Sequence, residues 1–255
     1  MVITSRENKI FKLVKALSSK RGRDENKKFV IEGLRSVLDA AKKNAPIEYI
    51  IVKDGVNISE ELNFPTYTFA PKLFCELSDT QSPQGIMAVC KSIDVELENI
   101  KGNDKSCVIL CEALQDPGNI GTIIRTAHAG FLDGVVFTKG CCDLYNPKVV
   151  RATMSGIFSL PIVCGVETDE AIRYFKGQGY KCTAGALSEK SVNLFDASLS
   201  GKQLIIIGNE ANGVKEETLK KCDSIIKIPM NEDAESLNAA IAASVIIYEY
   251  YRQNK

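Results

Sequence analysis

The sequence contains no tryptophan and only one histidine, His128. A structural zinc site takes four nitrogen or sulfur ligands at recognisable spacing. Nine cysteines are present, an odd number, and no two stand as C-x-x-C, so neither a metal site nor a disulfide framework can be read. Cys107 and Cys111 fall in an apolar run and Cys141 and Cys142 are adjacent; reduced cysteines used as small hydrophobes account for them. Long apolar stretches are also missing. Apolar runs such as residues 204–207 and 245–247 are far short of the roughly 20 residues that span a bilayer. The opening segment MVITSRENKIFKL scatters charge and has no uninterrupted apolar core, which excludes a secretory signal. The expectation is a soluble, cytoplasmic protein with no membrane partner.

What is present fits an ordinary globular chain. A length of 255 residues corresponds to one large domain or two modest ones at roughly 100–200 residues each. A hydrophobic fraction of 45% rules out disorder and collagen-like structure. The net charge is zero, but nine basic residues (Arg6, Lys9, Lys12, Lys15, Lys20, Arg21, Arg23, Lys27 and Lys28) and three acidic ones fall within residues 1–30. That leaves +6 at the start and −6 over the rest, a basic arm of the kind that grips nucleic acid or simply forms a solvated face.

Apolar residues at Ile10, Leu13, Val14 and Leu17 repeat at helical spacing and predict an amphipathic helix over 3–18. A strand over 29–31, a helix over 34–43, a strand over 49–52, a helix over 71–77 and a strand over 85–89 complete a small α/β unit, residues 1–95. The polar run from Asp94 to Ser106, DVELENIKGNDKS, reads as the joint between domains, with the linker itself at 96–105. From 106 to 255, extended runs near 108–110, 135–138, 161–163, 180–186, 204–208 and 225–228 alternate with helical ones near 120–129, 149–157, 169–175 and 236–251. Such alternation implies βαβ crossovers and a mainly parallel sheet, whose ligands sit beyond the carboxyl ends of the strands.

Three strand-end segments stand out. In the first, Asn119, Gly121 and Arg125 open a helix whose core stripe is Ile120, Ile123, Ile124 and Ala127. A small residue one turn before an arginine lets a ligand reach the guanidinium; a capping Asn119 and a solvated Arg125 fit the same letters. In the second, Gly208, Asn209, Glu210 and Gly213 follow an apolar strand. The spacing is not G-x-G-x-x-G and Glu210 would repel a pyrophosphate, which disfavours a nicotinamide oxidoreductase. An acidic residue in a glycine-rich loop instead suits a ligand with positive character or hydroxyls. In the third, Ile228-Pro229-Met230 is followed by Ser236-Leu237-Asn238 at a helix start and the small-residue run 239–243, where free N–H groups are available.

In this order and spacing the segments resemble the SpoU or TrmH family of RNA ribose 2′-O-methyltransferases, within the SPOUT superfamily. The patterns are Asn-x-Gly-x-x-x-Arg, Gly-x-Glu-x-x-Gly and Ile-Pro-Met with Ser-Leu-Asn. The stretches Lys28-Phe29-Val30-Ile31-Glu32-Gly33 and Ser82-Pro83-Gln84-Gly85-Ile86 resemble the family's L30e-like substrate-binding domain. One departure is Arg151-Ala152-Thr153-Met154-Ser155-Gly156, where the family more usually has Arg-Ala-Ser-x-Gly.

The resemblance implies an α/β fold: an L30e-like domain followed by a trefoil-knotted SPOUT domain over 106–255, although knots are otherwise essentially absent from proteins. It also implies a homodimer formed through the knotted domain and S-adenosylmethionine as cofactor, with no metal. Cofactor binding falls on Gly208, Asn209, Gly213, Ile228, Met230, Ser236 and Leu237. Catalysis falls on Asn119, Arg125, Glu210, Ser236 and Asn238. The substrate is RNA, with 23S ribosomal RNA ahead of transfer RNA because an L30e-like unit precedes the knot. A non-catalytic ribosome-assembly protein of the same fold is the rival reading.

Overall fold

The computed structural model describes residues 1–58, 62–93 and 95–255. Two compact units divide it: Met1–Ile93 with Asp143–Phe158, and Asp94–Cys142 with Ser159–Lys255. No helix among the described residues is long and apolar enough to cross a membrane.

The first unit runs β1 (Val2–Ile3), α1 (Lys9–Ala16), α2 (Lys20–Asn26), β2 (Lys28–Glu32), α3 (Leu34–Lys42), β3 (Ile47–Lys53), β4 (Thr66–Phe69), α4 (Pro71–Leu77) and β5 (Ile86–Lys91). Its sheet has the order β1-β4-β3-β5-β2. The helix expected from residue 3 begins at Lys9, because Val2 and Ile3 pair in parallel with Thr68 and Phe69 and the Asn8 side chain caps the amides of Ile10 and Phe11. Phe11 and Val14 of α1, with Leu17 just past its end, are buried in one cluster with Phe69, Phe74 and Met87. The basic arm is thus a working part of a core, and removing residues 1–30 would strip that core rather than only its charge. Its cations are also largely paired. Arg6 bonds Glu76, Arg21 bonds Glu25 and Lys28 bonds Glu48. Arg23 is 5% exposed and bridges Asp143 at 2.6 Å, while also donating to the carbonyls of Leu17 and Ser18.

The second unit begins before its first strand. Val95, Leu97 and Ile100 join its core, with Leu97 and Ile100 nearly fully buried, so the stretch read as a linker at 96–105 is partly core. A 3₁₀ turn at Leu97–Asn99 is closed by reciprocal Glu96–Asn99 capping. Asp94, where the polar run starts, lies outside the described residues. Then follow β6 (Cys107–Cys111), α5 (Pro117–Ala129) and β7 (Gly134–Thr138). The chain next contributes α6 (Pro147–Ala152) to the first unit. This helix ends earlier than the expected 157, since Met154 and Ser155 take left-handed φ of 48° and 65°. Returning, the chain forms β8 (Ile162–Val166), α7 (Thr168–Gly177), β9 (Lys181–Gly185), β10 (Val192–Asn193), β11 (Gln203–Ile207), α8 (Glu216–Leu219), β12 (Ser224–Lys227) and α9 (Ala239–Asn254).

The seven strands are ordered β10-β12-β9-β11-β6-β7-β8, and every neighbouring pair is parallel. Strands β6, β7 and β11 are buried at every position, as expected for strands covered on both faces. The chain moves one way from β6 to β8, crosses to β9 on the other side, and later inserts β11 between β9 and β6. That reversal brings two strand-end loops side by side.

Replacing Arg23 with Met removes the guanidinium that neutralises Asp143, and breaking a buried pair from one side is strongly destabilising. Urea denaturation should show a loss of about 3 kcal/mol, against under about 0.5 kcal/mol for the exposed Lys9→Met. Equal, small effects would mean Arg23 acts only as surface charge.

Candidate active site

Strand β6 ends in a turn in which Ala113 takes a left-handed φ of 52°, a conformation unfavourable for a residue with a Cβ. Helix α5 follows, its first turn closed by Asp116 Oδ1 accepting from the Asn119 amide at 2.8 Å. Strand β11 ends in the loop 208–213, which is pinched shut by paired backbone bonds between Asn209 and Gly213 of 3.1 and 2.9 Å. A Cβ on Gly208 would lie 2.0 Å from the Gly213 carbonyl carbon, so only glycine fits.

The two loops meet at Glu210. Its carboxylate accepts hydrogen bonds from Asn119 Nδ2 at 3.0 Å, the Asp116 amide at 3.0 Å and the Gln115 amide at 3.2 Å. Asn119 Oδ1 in turn accepts from Asn238 Nδ2 at 2.9 Å, and Asn238 Oδ1 caps α9 through the amides of Ala240 and Ile241. One residue from each of the three sequence segments therefore joins a single network. Partial burial alone would push the Glu210 carboxyl up, but the donors from Asn119, Asp116 and Gln115 hold it below its ordinary value. It is ionised at neutral pH.

The 208–213 loop also walls a cavity of about 460 Å³, within the size range of small-molecule sites. Gly208, Asn209 and Gly213 border it from the pinched loop, Ile228 and Met230 from the segment after β12, and Ser236 and Leu237 from the approach to α9. All seven residues assigned to the cofactor are thus gathered in one place. The Asn209 side chain is fully engaged by protein groups: Nδ2 donates to the Ala113 carbonyl at 2.8 Å and to Glu210 Oε2 at 3.4 Å, and Oδ1 accepts from the Ala211 amide. Ala186 and Leu187, just past β9, form a further wall. The three segments did not include them, although the strand-end rule alone would have flagged them.

Arg125 stands apart. It lies on α5 beyond Asn119, is exposed, and its side chain makes no hydrogen bond or ion pair among the described residues. Behind the loop, buried Glu112 accepts from the Lys215 amide at 2.9 Å, Thr218 Oγ1 at 2.7 Å and Thr168 Oγ1 at 3.1 Å. It anchors the chain where it leaves the cavity, a role no spacing pattern announces.

The donor set suits a nucleoside carrying positive charge. Apolar Ile228, Leu237 and Ile246 offer faces for a base, Gly208 permits close backbone approach, and the ionised Glu210 borders the same space. S-adenosylmethionine, an adenosine joined to a sulfonium, has this chemistry.

Comparison with known proteins agrees with this geometry. Residues 106–248 match the model of the SpoU rRNA methylase family, and residues 8–88 match the MRM3-like substrate binding domain. The 23S rRNA (guanosine(2553)-2′-O)-methyltransferase RlmP of Bacillus subtilis is 34% identical over 96% of this chain and 97% of its own. The 23S rRNA (uridine(2479)-2′-O)-methyltransferase of Streptomyces viridochromogenes is 28% identical, over 98% and 92% respectively. The structure of an AdoMet-bound rRNA methyltransferase from Sinorhizobium meliloti superposes with a TM-score of 0.89 at 28% identity, covering 99% of this chain and 97% of that one. Fold and site define an α/β methyltransferase. Within that class the chain belongs to the SpoU rRNA methylase family.

Gly208→Ala should abolish detectable S-adenosylmethionine binding in calorimetry, because the added carbon cannot be placed without opening the pinched loop. Binding at wild-type affinity would show that the loop is not the cofactor's wall.

Proposed function

We propose that this protein transfers the methyl group of S-adenosylmethionine to a ribose 2′-hydroxyl of 23S ribosomal RNA. The observation that carries the reading is the single network of Glu210, Asn119 and Asn238 beside a nucleoside-sized cavity, in a chain two of whose relatives are named as 23S rRNA 2′-O-methyltransferases. The two relatives differ in target base, guanosine in one and uridine in the other, so the shared chemistry is that of the ribose.

When bound, S-adenosylmethionine supplies an already activated methyl group. The protein's own residues align the hydroxyl and manage its proton, and orientation of this kind contributes up to roughly 7–11 kcal/mol in ideal cases. Arg125 is the group that meets the RNA. A guanidinium stays protonated in proteins, so Arg125 acts as a fixed charge that holds the adjacent phosphate and the developing alkoxide. The proton leaves to a phosphate oxygen or an ordered water. Asn119 positions the start of the helix that carries Arg125, Glu210 and Asn238 hold the two loops against that helix, and Ser236 borders the reacting end of the cavity.

The first unit grips RNA. Lys9, Lys20 and Lys27 support this, because among the described residues they are the members of the basic arm that have no partner; phosphate contacts of this kind weaken steeply with salt. The second unit is a trefoil knot, a reading supported by the way residues 228–238 and the 208–213 loop enclose one cavity. It pairs with a second copy to form a homodimer in the cytoplasm. Exposed Phe131, Ile241 and Tyr248, at 74%, 50% and 50%, offer the apolar surface such pairing covers.

In a transfer assay with labelled S-adenosylmethionine and unmodified 23S rRNA, label should appear in a 2′-O-methyl nucleoside. Arg125→Lys should lose most of the rate, at least about tenfold, while cofactor affinity stays unchanged. A lysine variant near the wild-type rate would show that the planar fork is not needed.

A further inference from the structure

The turn after β6 is strained at Ala113, and the chain after β7 clasps it. The Ala113 amide donates to Thr138 Oγ1 at 3.0 Å, and Thr138 is 4% exposed. The Leu114 amide donates to Cys141 Sγ at 3.2 Å, the Cys141 thiol donates to the Cys111 carbonyl at 3.3 Å, and the Cys142 amide donates to the Leu114 carbonyl at 2.9 Å. Gly140, at φ +89°, lets the clasp approach so closely that a Cβ there would sit 3.4 Å from that of Ala113. Asn209 Nδ2 holds the remaining Ala113 carbonyl.

A left-handed alanine persists only where its surroundings over-determine it, and such strain concentrates where geometry matters to function. Here the next two residues in the chain, Gln115 and Asp116, supply the two amides that Glu210 accepts. A slip of the turn would misdirect both.

Building on the methyltransferase reading, we propose that Cys141 is a positioning residue for methyl transfer. Its thiol bridges the Cys111 carbonyl and the Leu114 amide, and so fixes the strained Ala113 turn that aims two backbone donors at Glu210. Burial raises the thiol above its ordinary range, so it keeps the proton it donates. Serine can make both bonds over a shorter reach; alanine can make neither.

The test uses the full chain, labelled S-adenosylmethionine and 23S rRNA, with cofactor affinity measured separately by calorimetry. Cys141→Ala should lower kcat about tenfold with little change in the KM for RNA. Cys141→Ser should retain most of the rate. Ala113→Gly, which removes the penalty for the left-handed turn, should restore most of the rate to Cys141→Ala, a rescue that simple loss of packing would not allow. Should Cys141→Ala fail to fold, Cys141→Ser with and without Ala113→Gly decides the point, since glycine should remove whatever deficit serine leaves. Cys141→Ala at the wild-type rate, or a deficit that neither serine nor Ala113→Gly relieves, would overturn the inference alone. A wild-type protein that moves no label would overturn the methyltransferase reading and this inference with it.

Discussion

The carboxylate of Glu210 is the point on which the site depends. It accepts from the side chains of Asn119 and Asn209 and from two backbone amides of the β6–α5 connection, and through Asn119 it reaches the cap of α9. An ionised carboxylate with four donors makes charge-assisted bonds, which are roughly twice as strong as neutral ones. Without it, three segments more than a hundred residues apart in sequence at their extremes would be joined only by the Asn209–Ala113, Asn238–Asn119 and Ser244–Thr126 bonds and by apolar packing. Apolar packing is non-directional and does not fix the angle of a loop.

Each element around that hub is placed by a device of similar kind. Glu112, buried at the end of β6, secures the chain leaving the Gly208–Gly213 loop through Lys215 and Thr218. Gly208 tolerates no side chain, so the loop closes on itself before it meets any ligand. Ser244 on α9 bonds Thr126 on α5, and Gly130 would clash with Ile247 if it carried a Cβ. The helices that carry Arg125 and Asn238 are thereby packed at a fixed distance. A site assembled this way is preorganised: little rearrangement remains when a cofactor arrives.

Much of this was legible from the letters because parallel sheets put function at strand ends. Asn119, Glu210 and Asn238 lie in the three strand-end segments, and the structure joins them through Asn119, which bonds both Glu210 and Asn238. What the sequence hid were interactions between distant or locally unpatterned residues. Val2 and Ile3 form a strand only because Thr68 and Phe69 are there to pair with them, so a helical period ran past them. Arg23 looked like part of a basic arm, yet its partner is Asp143, 120 residues away. Leu97 and Ile100 sat in a polar run whose few apolar residues are the ones that become buried. The Gln115 and Asp116 donors are backbone amides, and no residue type announces where those point.

The most direct test of the central claim is a double-mutant cycle on S-adenosylmethionine affinity, with Glu210→Ala, Asn238→Ala and the pair measured by calorimetry. The two side chains do not touch; they are joined through Asn119. If the network acts as a unit, the double variant should lose clearly less than the sum of the singles, with an interaction energy of about 1 kcal/mol or more. Additivity within about 0.3–0.5 kcal/mol would contradict the account, because it would mean that each residue holds its own loop and no hub exists.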